Sequence, residues 1–137
     1  MSVFRRRFEV STRAHNELLD ITSEVQRVVS ESGVRDGLCS VFTPHATAAI
    51  TINENDDENI GKDFVKAMGK MVLEHDDWLH DRVDNNAAAH IKSALVGPSE
   101  TIPVDGGKLA LGTWQNIFFC EFDGPRRTRG VVVTVLG

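Results

Sequence analysis

Thr43-Pro44-His45-Ala46-Thr47-Ala48-Ala49-Ile50-Thr51-Ile52-Asn53-Glu54-Asn55-Asp56 is the stretch on which the reading of this chain turns. Gly37 to Thr43 is strand-like, with Leu38, Val41 and Phe42. Pro44 has no N–H to donate, so pairing must stop there. Thr47 to Asn53 resumes an extended pattern, because the β-branched Ile50, Thr51 and Ile52 favour it. A histidine is thus held at a stiff break between two strands. Beyond the polar end of the second strand, Asn55-Asp56 is expected to cap a helix. In that helix Ile60, Phe64, Ala67, Met68, Met71 and Val72 recur on one face. Gly61 and Gly69 weaken it without ending it.

Working outward, Phe4, Arg6, Phe8 and Val10 alternate with Arg5, Arg7 and Glu9, the pattern of a strand with one buried face. Asp20-Ile21-Thr22 opens a helix carrying Ile21, Val25, Val28 and Val29 on one side, and Gly33 stops it. Glu74 to Asn86 is polar and acidic, but Trp78, Leu79 and Val83 punctuate it as a packed segment. Asn86 is a cap for a short helix, Ala87 to Val96, ended by Gly97-Pro98. Thr101–Val104 and Lys108–Leu111 flank Asp105-Gly106-Gly107, a hairpin composition. Trp114 to Phe122 is a long apolar run, and Gly130 to Leu136 is a valine-rich terminal strand. Seven strands and three helices in mixed order predict an α+β fold of largely antiparallel sheet. No linker or repeat divides residues 1–137, so one domain is expected.

Apolar residues make up 41% of the chain and charged residues 26%, an ordinary globular balance. The net charge of −5 argues against broad nucleic-acid binding. Arg5-Arg6-Arg7 and Arg126-Arg127-Thr128-Arg129 are short basic runs that a strand edge or a phosphate contact explains as well. No apolar run reaches the roughly 18 residues of a membrane span. Cys39 and Cys120 lie in apolar runs with no secretory leader pattern, which predicts a reduced, cytoplasmic protein.

Five histidines are present. His15 reads as a loop surface residue, and His75 as a charge near the C-terminal end of the long helix. His45, His80 and His90 remain, and His45 and His90 have small alanine neighbours that leave room for a ligand. Three imidazoles from three segments would make a metal site with a vacant position. Asp76 or Asp77 would orient His80 from behind. No local histidine pair exists, so the spacing alone is weakly specific. Asp56, Asp57 and Glu58 are explained by a helix start. Asn53 and Glu54 are not, and Glu54 is the best placed acid–base carboxylate. Gly112-Thr113-Trp114-Gln115 reads either as a bulge or as a pocket wall made of Trp114 and Gln115.

Taken together, four segments resemble the YjbQ-like family, long regarded as uncharacterised and also named secondary thiamine-phosphate synthase enzymes. They are His45 to Asn55; His80 with Asp84-Asn85-Asn86 and His90 to Ser93; Leu111 to Ile117; and the terminal strand. The resemblance implies packed antiparallel sheets and a homotrimer. It also implies a cleft with His45, His80 and His90 as metal ligands, neighboured by Asn53, Glu54, Asp84, Asn86, Trp114 and Gln115. The implied function is a metal-dependent enzyme of unassigned main reaction, either a thiamine-phosphate synthase-like transferase or a metal-assisted hydrolase, with thiamine-phosphate synthesis as a secondary activity and a small phosphorylated metabolite as partner. The alternative is a non-enzymatic trimer that binds metal or a small anion. Imidazole ligands favour zinc, while a pyrophosphate-releasing synthase would call for magnesium. Ala46 and Asn116 depart from the family pattern, and neither removes a ligand.

Overall fold

A computed structural model describes every residue from Met1 to Gly137. The strands are β1 (Val3–Val10), β2 (Glu17–Asp20), β3 (Asp36–Phe42), β4 (Ala48–Asn53), β5 (Ser99–Asp105), β6 (Lys108–Leu109), β7 (Asn116–Glu121) and β8 (Arg129–Leu136). The helices are α1 (Thr22–Ser32), α2 (Asn59–Met71) and α3 (Ala87–Val96), with a short 3-10 turn at Leu79–Arg82. All pairings are antiparallel. They build a large sheet, β1-β8-β3-β5-β6, and a small one, β2-β7-β4. This is the α+β architecture that the patterning predicts.

The inner faces of the two sheets and α1 share one core, which includes Ile21, Val25, Val29, Cys39, Val41, Ile50, Phe119, Val131, Val133 and Val135. Period-two alternation puts every second residue of β8 into it, with Val131, Val133 and Val135 all fully buried. The other face of the small sheet, through Ala49, Cys120 and Phe122, packs on Ala89 of α3 and Phe64 of α2. β7 is central and covered on both sides, so its apolar run is continuous rather than alternating. The outer face of the large sheet has no covering layer. Leu38 is 47% exposed there and Phe42 39%.

The local signals mostly act as expected. Pro44 lies two residues past Phe42, the last residue of β3. Gly33 takes φ 71 after α1, and Gly106 and Gly107 take φ 59 and 80 in the two-residue turn that pairs Asp105 with Lys108. Four details differ. β2 is an eighth strand within the segment read as loop, and its four residues are too few to display alternation. Trp114 is not in a strand. Gly112 to Gln115 is a turn in which the Gln115 amide donates to the Gly112 carbonyl (3.0 Å) and Gln115 Oε1 accepts from the Gly112 amide (2.8 Å). α2 begins at Asn59, so Asp56, Asp57 and Glu58 precede it, and Asp57 Oδ1 caps the Asn59 amide at 3.0 Å. The apolar face of α2 is only partly covered: Met68 is buried, but Met71 is 71% exposed.

Candidate functional site

The site begins where Pro44 interrupts β3. The β3–β8 pairing ends at Phe42 and Val132, so Gly130 lies beyond the ladder. Its backbone is satisfied by side chains instead. Thr43 Oγ1 donates to the Gly130 carbonyl (3.1 Å), and the Gly130 amide donates to His45 Nε2 (2.8 Å). A neutral His45 therefore accepts at Nε2 and carries its proton on Nδ1. Burial lowers its proton affinity, and the charges of Arg129, Arg7 and Arg126 lower it further against a smaller opposing effect of Glu121.

Beneath His45 lies a buried ion pair. Glu121 is 0% exposed and Arg129 4%. Arg129 Nε donates to Glu121 Oε1 at 2.9 Å, and Arg129 Nη2 donates to Glu121 Oε2 and to Thr47 Oγ1 (3.0 Å). Glu121 also accepts from Thr12 Oγ1 (2.7 Å) and from the Asp123 amide (3.0 Å). Burial pushes the Glu121 carboxyl up, but these hydrogen bonds and the Arg129 charge outweigh it and hold the group below the usual carboxylate value. The sequence does contain a signal for this pair: a carboxylate inside Phe118-Phe119-Cys120-Glu121-Phe122 has to be partnered.

His80 and His90 do come together, edge to face, with ring centroids 4.8 Å apart. The 3-10 turn carries one and the first turns of α3 the other. The carboxylate beside His80 is Asp84, at 3.8 Å from Nε2, and Asp77 instead sits in a left-handed turn with φ 56. Asn86 precedes α3 as expected, but its side chain donates to Asp123 Oδ2 (2.9 Å) rather than capping. Asp81 Oδ1 caps the Ala87 amide instead, at 3.0 Å. Asn86 Oδ1 is buried without a partner.

Within the chain, the expected three-histidine set is not assembled. No three His, Cys, Asp or Glu side chains converge as a metal site. His45 is also the wrong way round for a ligand. A metal-bound imidazole donates its second N–H to an acceptor, whereas His45 spends a lone pair on a backbone donor.

Asn53, Glu54, Trp114 and Gln115 lie elsewhere. Asn53 pairs with Asn116 at one end of the small sheet, while Ala48 pairs with Glu121 at the other. The five steps between them span roughly 17 Å. Near the Asn53 end, Trp114 is 60% exposed over a hollow of about 320 Å³ lined by Asp20, Asn55, Asp56, Thr113, Trp114 and Asn116. Asn53 Oδ1 accepts from the Glu54 amide (2.8 Å), and Asp20 Oδ2 accepts from Asn55 Nδ2 (3.0 Å). The residues read as one cleft therefore form two separate groups in a single protomer.

A third cluster was hidden from sequence. Lys92, 2% exposed on α3, donates to Asn16 Oδ1 at 3.1 Å and lies 3.6 Å from Glu74 Oε2. The other Glu74 oxygen meets His15 Nε2 at 2.7 Å, and His15 Nδ1 meets the Gly124 carbonyl at 3.1 Å. His15 is thus a clasp between three segments rather than a bystander. Burial lowers its proton affinity, but the Glu74 and Gly124 contacts outweigh burial and leave it raised. His75 lies past the end of α2, 3.5 Å from Asp81.

Comparison with known proteins agrees with this architecture. A UPF0047 protein of Methanocaldococcus jannaschii is 44% identical over 131 residues, covering 96% of this chain and 93% of its own. The YugU protein of Bacillus subtilis, also a UPF0047 protein, is 41% identical over 132 residues, covering 94% and 96%. A crystal structure of a protein of unknown function from Sulfolobus solfataricus superposes with a TM-score of 0.96 at 39% identity, covering 99% and 98%. The family model described as UPF0047 protein YjbQ-like matches residues 6–137, and the chain belongs to that family.

Proposed function

We propose that the protein is a metal-assisted enzyme of small-molecule metabolism whose metal-binding side chains are His80 and His90. The observation that carries this is the contact of two imidazoles from separate elements, 4.8 Å between centroids, with the Asp84 carboxylate beside His80. Two imidazoles suit zinc or a similar transition ion better than magnesium, which takes oxygen ligands. Such an ion would supply Lewis-acid charge to a phosphoryl or carbonyl oxygen. The chain's own residues orient the pair: Asp81 caps α3 and so fixes the helix that bears His90. Asn86, just before α3, is tied to Asp123 and helps hold the start of the helix that bears His90.

Thiamine-phosphate synthesis from a pyrimidine diphosphate and a thiazole phosphate is the reaction to assay first. Asn53, Glu54, Trp114 and Gln115 enter that reading as a second surface, met by the histidines across a subunit boundary. The homotrimer belongs to the same proposal, and its support is the uncovered outer face of the large sheet, with Val3, Leu38 and Phe42 exposed. No helix is long and apolar enough to cross a membrane. A cytoplasmic location is supported by two free, buried cysteines.

Metal analysis of tag-free protein is the test. Near-stoichiometric transition metal, lost in His80→Ala and His90→Ala and kept in His45→Ala, is expected. Metal content indifferent to His80 and His90 would end the proposal.

A further inference from the structure

The strand register brings the two arginine runs to one corner. Val10 pairs with Arg129 and Arg7 with Val132, so Arg7 lies three residues along the ladder from Arg129, and the charges of both reach His45. Arg7 crosses Gly130 so closely that a Cβ there would meet its guanidinium and push that side chain aside. The same Gly130 holds His45 by its amide. His45 and Arg7 are therefore neighbours across one residue.

The charge at this corner is unbalanced. Arg129 is consumed by Glu121 and Thr47, and Arg126 by Asp123 at 2.9 Å. No carboxylate lies within ion-pair distance of Arg7 or Arg127, and no protein acceptor meets the Arg7 guanidinium. His45 Nδ1 has no protein partner either, and it is not among the polar atoms sealed from solvent. What the corner offers a ligand within one protomer is a set of donors, one N–H of fixed tautomer and one guanidinium without an acceptor, beside the outer face of the large sheet and in a field made positive by Arg129, Arg7 and Arg126. A cation is repelled there. A tetrahedral oxyanion can take both donors on different oxygens.

We propose that His45 Nδ1–H and the Arg7 guanidinium form a binding site for a phosphate-type oxyanion. Glu121 is the positioning residue, since it anchors Arg129 and with it the Gly130 amide that fixes the His45 tautomer. His45 thereby acquires a role as an anion donor in place of the expected metal ligand. Calling the anion part of a substrate rests on the function proposed above, but its binding does not require the metal.

The test is calorimetric titration of the full chain, stripped of metal by chelator, with inorganic phosphate, pyrophosphate and acetate. Phosphate or pyrophosphate should bind more tightly than acetate. Arg7→Ala should weaken that binding roughly tenfold or more, the scale of one charge-assisted hydrogen bond. Arg7→Lys should restore part of it, and Arg27→Ala, a distant surface change, should alter nothing. In ¹⁵N spectra of the unsubstituted protein, His45 should be protonated at Nδ1 and that nitrogen should shift on adding phosphate. Equal loss in Arg7→Ala and Arg27→Ala, equal affinity for acetate, or a silent His45 would overturn the site. Failure here with metal still bound at His80 and His90 would leave the metal reading standing, and the reverse result would leave the anion site standing.

Discussion

Glu121→Ala offers the sharpest test of how this corner is held. The substitution deletes a carboxylate that accepts from Arg129 Nε and Nη2, Thr12 Oγ1 and the Asp123 amide. It leaves the Arg129 guanidinium, 4% exposed, with only Thr47 as partner. An uncompensated buried charge costs about 3–5 kcal/mol. For a chain of this size that corresponds to a fall in Tm of roughly 10–20 °C. Urea denaturation gives the free energy directly, because the m-value reports whether the unfolded reference is unchanged. The double variant Glu121→Leu/Arg129→Met removes both charges and should regain at least half of the loss, although Thr47 then lacks its donor. The pair also has a pH signature. The Glu121 carboxyl is lowered in the folded state, so its contribution is present above the unfolded value and is lost as pH falls through the folded one. The reasoning is refuted if Glu121→Ala costs less than about 1 kcal/mol, or if the double variant loses the sum of the single losses.

Other consequences are measured separately. His15 should titrate above its usual value by proton NMR, and Glu74→Gln should bring it down. Because its folded value is raised, the stability it adds is complete below the unfolded value of about 6.5 and disappears as pH rises through the folded value. Denaturation midpoints of His15→Ala and the parent should therefore converge in alkali. Burial pushes the thiols up, Cys39 to about 11 and Cys120 to about 12, so a thiol reagent near neutral pH should label neither until urea is added. Phe42→Arg should shift the solution mass toward the monomer by light scattering. An unchanged mass would show that the outer face of the large sheet is not the contact between copies.

Much of the chain could be read locally. Pro44 at the end of β3, the Gly106-Gly107 turn, the Gly33 stop and the alternation of β8 each act over a few residues. Backbone preference and hydrophobic period are sufficient there, because the deciding atoms are neighbours in sequence. β2 escaped because four residues carry too little pattern, and Trp114 was drawn into a strand by the apolar run that follows it.

Sequence by itself determined most of the elements, the class and the family, since family membership needs only ordered short motifs such as His45 to Asn55 and Gly112 to Gln115. Which polar residues meet was decided by tertiary structure alone. Asn53 and His45 are close in the chain, yet β4 carries them to opposite ends of the small sheet. His80 and His90 are separated by a loop and touch. Arg7, Gly130 and His45 come from three segments and share one corner because the β1–β8 register and the Pro44 break put them there. Register and crossing geometry are set by the packing of whole faces, and no short window of sequence contains that information.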